Sequence, residues 1–282
     1  MESLAGRGIV VVLDFDRTII EPDSDDWVVE ELGVTAAFSQ LLATMPWNSL
    51  MDRMMKEVHE QGKSTEDIKE ALRRVAIHPK IVSAIKYAYS RGCDLRIVSD
   101  ANTVFIETIL EHVGIKECFS EIHTNPAYID REDRLHICPY VDFDSCPHGC
   151  NLCPPNMCKG RIIERIQASM MKEGKGTVIY LGDGKGDFCP SLKLKVGDFM
   201  MPRKGFPVWD LISQNRELVH AQVHEWTDGE ELNSTLLRLI DETMSKNSSS
   251  IQLLPAAADC MLGTAATAVP DALPLPALKV GH

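Results

Sequence analysis

No run of about 18 consecutive apolar residues occurs in the 282-residue chain, so no segment is expected to cross a bilayer as a helix. Positive charge is scarce. The 29 Lys and Arg stand against 41 Asp and Glu, for a formal net charge of -12, which argues against a nucleic-acid-binding surface. The opening residues, MESLAGRGIVVVLD, lack a basic stretch followed by a long apolar core, so no export signal is expected. Cysteine is plentiful but odd in number, at nine. Without an export signal, reduced thiols or a metal site are expected rather than disulfides, and the cytoplasm is the expected compartment. No internal repeat is present. The hydrophobic content of 44% and charged content of 25% are those of an ordinary globule. The length allows one large domain or one domain with a smaller one inserted.

The segment GIVVVLD, residues 8–14, is apolar on both faces, as in the middle of a parallel sheet. CDLRIVSD (93–100), GTVIYLGD (176–183) and VGDFMMP (196–202) read as further strands. Residues 24–91 change to helical spacing. Leu50, Met51, Met54, Met55 and Val58 form one apolar stripe, and Ser64 with Asp67 forms a capping-box pattern. His78-Pro79 starts a helix that ends at Arg91-Gly92, and a helix over 102–113 stops at Gly114. Residues 117–145 read as short strands and turns, and a helix covers about 158–172. Further helices start at Pro207 and cover DGEELNSTLLRLIDETM. Strands alternating with helices predict an α/β fold with a parallel sheet, interrupted by a helical cap. The predicted boundaries are 1–23 and 89–245 for the core, 24–88 for the cap and 246–282 for a flexible, Ser-, Ala- and Pro-rich tail. LPLPALKV within that tail is a candidate docking segment.

In a strand, alternate residues point the same way, so Asp14 and Asp16 sit side by side at the end of a buried element. Like charges that close cost stability unless a metal ion or a metal-bound phosphoryl group neutralises them. Ligands bind at the carboxyl ends of strands in such sheets, and three strands end in Asp14, Ser99-Asp100 and Gly182-Asp183. In order, DFDRT (14–18), VSDAN (98–102), CKG (158–160) and GDGKGD (182–187) resemble the haloacid dehalogenase (HAD) superfamily of aspartate-nucleophile phosphatases. DFDRTIIEPDSDDWVV, IVSDANT and CPPNMCKG are similar to its phosphocholine/phosphoethanolamine phosphatase family. TMPWNSLMDRMMKE, MPRKGFPVWDLISQN and EWTDGEE resemble the plant branch, described as thiamine-monophosphate phosphatase-like proteins and inorganic pyrophosphatases. The resemblance covers about residues 8–244.

The resemblance implies a HAD-like Rossmannoid core and a set of roles. Asp14 is the implied nucleophile, forming an aspartyl-phosphate. Asp16 is the implied acid and base. Mg²⁺ is the implied cofactor, held by Asp14, the main-chain carbonyl of Asp16 and Asp183. Asp187 either supports the metal or orients Lys159, and Lys159 pairs with Asp14. Ser99 bonds a phosphoryl oxygen, and Thr18 bonds a carboxylate or caps a turn.

Asp25 and Asp100 match acids that face the amino-alcohol end of the substrate in the resembling family. A carboxylate pair attracts an ammonium or thiazolium and repels extra phosphate. Trp27 or Trp47 could add a cation–π face, although both also suit the core of the cap. Asp25 and Asp26 equally suit capping of the helix at Trp27. The expected partner is a small phosphate compound such as thiamine monophosphate, phosphocholine or phosphoethanolamine. Pyrophosphate is the alternative and would need basic partners, for which Arg53, Lys56, Lys185, Arg203 and Lys204 are candidates. A phosphotransferase or a binding protein without turnover are more remote readings. Finally, CPHGCNLCPPNMC places Cys146, Cys150, Cys153 and Cys158, with His148, within thirteen residues. That spacing is compatible with structural Zn²⁺, or with reduced thiols in a Pro-stiffened loop.

Overall fold

The computed structural model describes residues 8–142, 147–172 and 176–252, with side chains to residue 246. Strand β1 (Ile9–Leu13) leads into four helices, α1 (Ser24–Glu31), α2 (Thr35–Leu41), α3 (Trp47–Glu60) and α4 (Thr65–Arg73). Helix α5 (Pro79–Ser90) returns the chain to β2 (Asp94–Asn102), which is followed by α6 (Thr103–Val113) and β3 (Phe119–Asn125). A hairpin of β4 (Ala127–Ile129) and β5 (Leu135–Ile137) comes next. Then follow α7 (Lys159–Lys172), β6 (Thr177–Gly182), α8 (Phe188–Ser191), β7 (Phe199–Pro202), α9 (Pro207–Gln214), β8 (Gln222–Val223) and α10 (Gly229–Gln252).

Six strands form one all-parallel sheet in the order β3-β2-β1-β6-β7-β8. The five residues of β1 are all buried, because the strand lies mid-sheet between β2 and β6 with helices on both faces. Val11 and Leu13 point into one apolar cluster with Ile106 and Leu236, while Val10 and Val12 meet Ile163 and Ile166 on the other face. From β1 the chain moves to β2 on one side and later to β6 on the other. The strand order therefore reverses beside β1, and the crevice for a ligand opens at its carboxyl end.

Helices α1–α4 form the insert after β1, and their Val28, Leu50, Met54 and Leu72 belong to the same apolar cluster as the sheet. Three devices seat this insert. Helix α4 begins in a full capping box between Ser64 and Asp67. It packs on α6, and the Asp133 carboxylate accepts the Thr65 amide at 3.1 Å. Asp52 of α3 accepts the Ile137 amide at 3.0 Å and pairs with Arg134 at 3.0 Å, tying the insert to the β4–β5 hairpin.

One strand and one boundary go beyond the sequence reading. β3 falls in the stretch read as short strands and turns and forms the edge of the main sheet, with several half-exposed polar residues. β8 is only two residues long. Helix α10 continues through Lys246 to Gln252, into the stretch expected to be tail. The LPLPALKV segment lies outside the described residues.

Met54 is fully buried and Met171 is 68% exposed. Met54→Ala should lower the unfolding free energy by about 2–5 kcal/mol in urea titrations. Met171→Ala should stay within about 0.5 kcal/mol of the parent. Equal effects at the two positions would contradict the packing described.

Candidate active site

The carboxyl ends of β1, β2 and β6 surround a cavity of about 380 Å³. Asp14 follows β1 directly. Its main-chain N–H bonds the Leu181 carbonyl of β6 at 2.9 Å, so the sheet ladder itself fixes the residue. One carboxylate oxygen accepts the Phe15 amide at 2.7 Å, and the other lies 2.7 Å from Lys159 Nζ. Lys159, 6% exposed, is the first residue of α7 and also donates to Asp187 Oδ1 at 2.9 Å. Burial works against the lysine charge, but Asp14 and Asp187 outweigh it and hold the ammonium above its ordinary range.

Asp187 is fully buried and both of its oxygens are engaged. Oδ1 also accepts the Tyr180 hydroxyl at 2.7 Å. Oδ2 accepts the amides of Asp183 at 3.0 Å and Gly184 at 2.9 Å. This loop closes only because residue 182 is glycine: a Cβ there would stand 2.4 Å from Asp187 Cγ. Asp187 is thus turned to the lysine and its own loop. Asp183 lines the cavity and accepts the Thr18 hydroxyl at 3.2 Å. Asp14, Asp183 and Asp187 each bring a carboxylate oxygen within 4.8 Å of the others. Burial, and then the Asp187 charge, push Asp14 well above the usual carboxylate range and Asp183 up to about 7. An all-oxygen donor set that resists ionisation in this way fits a hard divalent cation.

Asp16 lines the cavity beside Asp14, and its carboxylate accepts the Ser24 amide at 2.9 Å. Burial raises it well above the usual range, and the neighbouring Asp23 and Asp25 raise it further. Ser99 is buried at the cavity wall and accepts the Ala101 amide at 3.2 Å. Asp100 lies next to it and accepts the side-chain amides of Asn156 at 2.5 Å and Asn125 at 3.2 Å.

Other residues fall elsewhere. Asp25 is buried but does not line the cavity; its Oδ2 accepts the Trp47 indole N–H at 2.7 Å. Asp23, not Asp25 or Asp26, caps α1, accepting the amides of both, and Asp23 also lines the cavity. Neither tryptophan faces the cavity. Trp27 donates to the Ala71 carbonyl, and Trp47 packs edge-on against Phe38. Of the basic candidates, Arg53 and Lys56 pair with Glu60, Lys204 with Glu225 and Arg203 with Glu21. These four and the exposed Lys185 are all absent from the cavity wall. The cation that sequence reasoning missed there is Arg17, held at φ 54°, a left-handed conformation rare for a side-chain-bearing residue. Asn125 and Asn156 were missed too, since single asparagines carry no pattern.

The cysteine segment also differs. Cys150, Cys153 and Cys158 converge, and the thiol that joins them is Cys189; Cys146 lies outside the described residues.

Comparison with known proteins decides the family. A family model described as Putative Phosphatase matches residues 9–240. The chain belongs to this phosphatase family. The phosphatase is 64% identical over 240 residues to "Inorganic pyrophosphatase 2" of Arabidopsis thaliana, covering 85% of this chain and 86% of that one. It is 51% identical to the "Thiamine phosphate phosphatase-like protein" of the same plant, covering 86% and 99%. In fold it is similar to a substrate-bound phosphoserine phosphatase, with TM-score 0.53 and 16% identity over 80% of this chain and 97% of that one. The phosphatase therefore has the fold seen in HAD-family hydrolases, and its family and relatives make it an enzyme of the phosphatase class. No helix among the described residues is long and apolar enough to cross a membrane.

Removing the Asp187 carboxylate leaves the buried ammonium with Asp14 alone and strands the Tyr180 hydroxyl and two loop amides. Asp187→Ala should destabilise the phosphatase by about 3–5 kcal/mol in urea, whereas Tyr180→Phe should cost about 1 kcal/mol. A near-neutral Asp187→Ala would refute the bracing role.

Proposed function

We propose that this phosphatase hydrolyses a small phosphomonoester whose alcohol carries a positive charge, such as phosphocholine, phosphoethanolamine or thiamine monophosphate. The observation that carries this reading is the charge of the cavity wall. Five carboxylates, Asp14, Asp16, Asp23, Asp100 and Asp183, face it, against Arg17 and Lys159. Lys159 is already engaged by two carboxylates. The side of the cavity holding Asp23 and Asp100 therefore attracts a cationic group.

In this reading Asp14 attacks phosphorus, the ester oxygen leaves, and an aspartyl-phosphate forms. Asp16 delivers the proton to the leaving alcohol and then takes one from the water that hydrolyses the intermediate. Its raised proton affinity suits the first of those tasks. Lys159 keeps Asp14 aimed and offsets charge on the transferring group. Ser99 stands at the wall to donate its hydroxyl to a phosphoryl oxygen. Asp187 is a positioning residue for Lys159, since its oxygens are taken up by the loop. Asp14, Asp183 and the main-chain carbonyl of Asp16 would hold Mg²⁺, whose charge lets an anionic nucleophile approach an anionic phosphate. Helices α1–α4 form a cap over the carboxyl edge that shields the reaction from water. Thr18 holds Asp183 in place.

A second reading, inorganic pyrophosphatase, rests on the name of the relative that is 64% identical. The same machinery would serve it, with Arg17, which also pairs with Asp26 at 3.5 Å, as the further cation at the wall.

Asp14→Asn should reduce turnover to background while leaving the unfolding curve close to the parent. Asp16→Asn should lower kcat by about 10²- to 10⁴-fold. Chelation should abolish activity and Mg²⁺ restore it; full activity in excess chelator would reject the metal assignment. A kcat/KM panel across thiamine monophosphate, phosphocholine, phosphoethanolamine, phosphoserine and pyrophosphate should rank cationic esters first. Asp100→Asn should narrow their lead by on the order of tenfold, worth about 1.4 kcal/mol. Pyrophosphate as the best substrate would overturn the cationic reading in favour of the second.

A further inference from the structure

Outside the carboxylate cluster, the described residues hold one other group with metal-ligand character. The Sγ atoms of Cys150, Cys153, Cys158 and Cys189 all lie within 4.8 Å of one another. Cys150 Sγ stands 3.7 Å from Cys189 Sγ, and Cys158 Sγ stands 3.9 Å from it. A disulfide needs about 2.05 Å, and all four cysteines are free. A tetrahedron of sulfurs about 2.3 Å from a central zinc has edges of about 3.8 Å. The observed separations match the second figure.

The surroundings match as well. The Gly160 amide bonds Cys189 Sγ and the Arg161 amide bonds Cys158 Sγ, so the first turn of α7 aims main-chain N–H groups at two of the sulfurs. A Cβ at residue 160 would stand 2.5 Å from Cys189 Sγ, so only glycine admits that sulfur. His148 is not a competing ligand. Its Nδ1 accepts the Cys150 amide at 3.0 Å and its Nε2 donates to the Pro154 carbonyl at 2.8 Å, so it shapes the loop that presents Cys150 and Cys153.

We propose that Cys150, Cys153, Cys158 and Cys189 bind one structural zinc ion that braces the active site from behind. Four thiolates, two in a C-x₂-C pair, form a closed set with no position for water, which is the pattern of a structural rather than a catalytic zinc. Binding displaces the thiol protons to solvent, with no change of oxidation state. The placement explains the use. Cys158 immediately precedes Lys159, and Cys189 follows Asp187 by two residues. Cys153 itself reaches the cavity wall beside Pro154 and Met157. The ion ties together the chain segments that carry the two partners of the buried Lys159–Asp187 pair. It is independent of which phosphate compound is the substrate.

The test is elemental analysis of the full-length protein, purified reduced and without chelator. About one zinc per chain is expected, retained when Mg²⁺ is removed by brief dialysis against a weak chelator. Mercurial titration should release that zinc in step with thiol modification. Protein grown with cobalt should show thiolate-to-cobalt charge-transfer absorption in the near ultraviolet. Cys189→Ser and Cys153→Ser should lower the zinc content to about 0.2 per chain or less, while Cys118→Ser and Cys146→Ser keep it. Should the cysteine variants fail to fold, the metal content and cobalt spectrum of the parent protein still decide. Less than about 0.2 zinc per chain in the parent, iron in its place, or a disulfide among the four by mass spectrometry would overturn the proposal. So would loss of zinc in Cys146→Ser.

Discussion

One buried ammonium holds the candidate active site of this molecule together. Lys159 Nζ lies 2.7 Å from Asp14 and 2.9 Å from Asp187, with almost no solvent at any of the three. Taking these charges out of water costs several kcal/mol each, and only close, charge-assisted hydrogen bonds offset it. Asp187 also collects a tyrosine hydroxyl and two loop amides. This knot joins β1, the start of α7 and the loop after β6, three parts of the chain separated by more than a hundred residues at the extremes.

The knot leaves an excess of negative charge. After Lys159 is engaged, Arg17 is the remaining cation on a wall that also presents Asp16, Asp23, Asp100 and Asp183. Burial makes that excess matter, since each carboxylate on a low-dielectric wall attracts a cation more strongly than it would on a wet surface. The proposed demand for a divalent ion next to Asp14 and the proposed preference for a cationic alcohol share this electrostatic cause. The first concerns Asp14 and Asp183, the second Asp23 and Asp100. Arg17 bears on the contrary reading, because it is the group that a second phosphate would meet.

The thiol cluster sits on the same stretch of chain as the knot. Cys158 and Lys159 are neighbours at the head of α7, and Asp187 precedes Cys189 by two residues at the head of α8. The proposed zinc clip would do for the loop what a hydrophobic core does elsewhere, since the Pro-rich segment between β5 and α7 has few apolar side chains to bury. Asn156 adds a second tether from that loop to Asp100.

Much of this was legible in one dimension. The apolar strands announce themselves by runs of Val, Ile and Leu, because a central strand of a parallel sheet is buried on both faces. The order of DFDRT, VSDAN, CKG and GDGKGD carries the phosphatase family, because each motif belongs to the carboxyl end of a strand or the head of a helix. Short strands were legible around β3, but its membership of the main sheet was not, since a half-exposed edge strand tolerates polar residues. Asp23 and Asp25 are indistinguishable as letters; only the turn into α1 decides that Asp23 reaches the cavity while Asp25 is claimed by Trp47. Cys189 stands thirty-one residues from Cys158 and carries no spacing signal, so its meeting with the cysteine loop is a fact of folding alone. Local pattern and motif order are properties of neighbouring residues, and the chain states them directly. Which acids share a cavity, and which sulfurs share a corner, depends on contacts between distant segments, and those exist only once the sheet has brought the segments together.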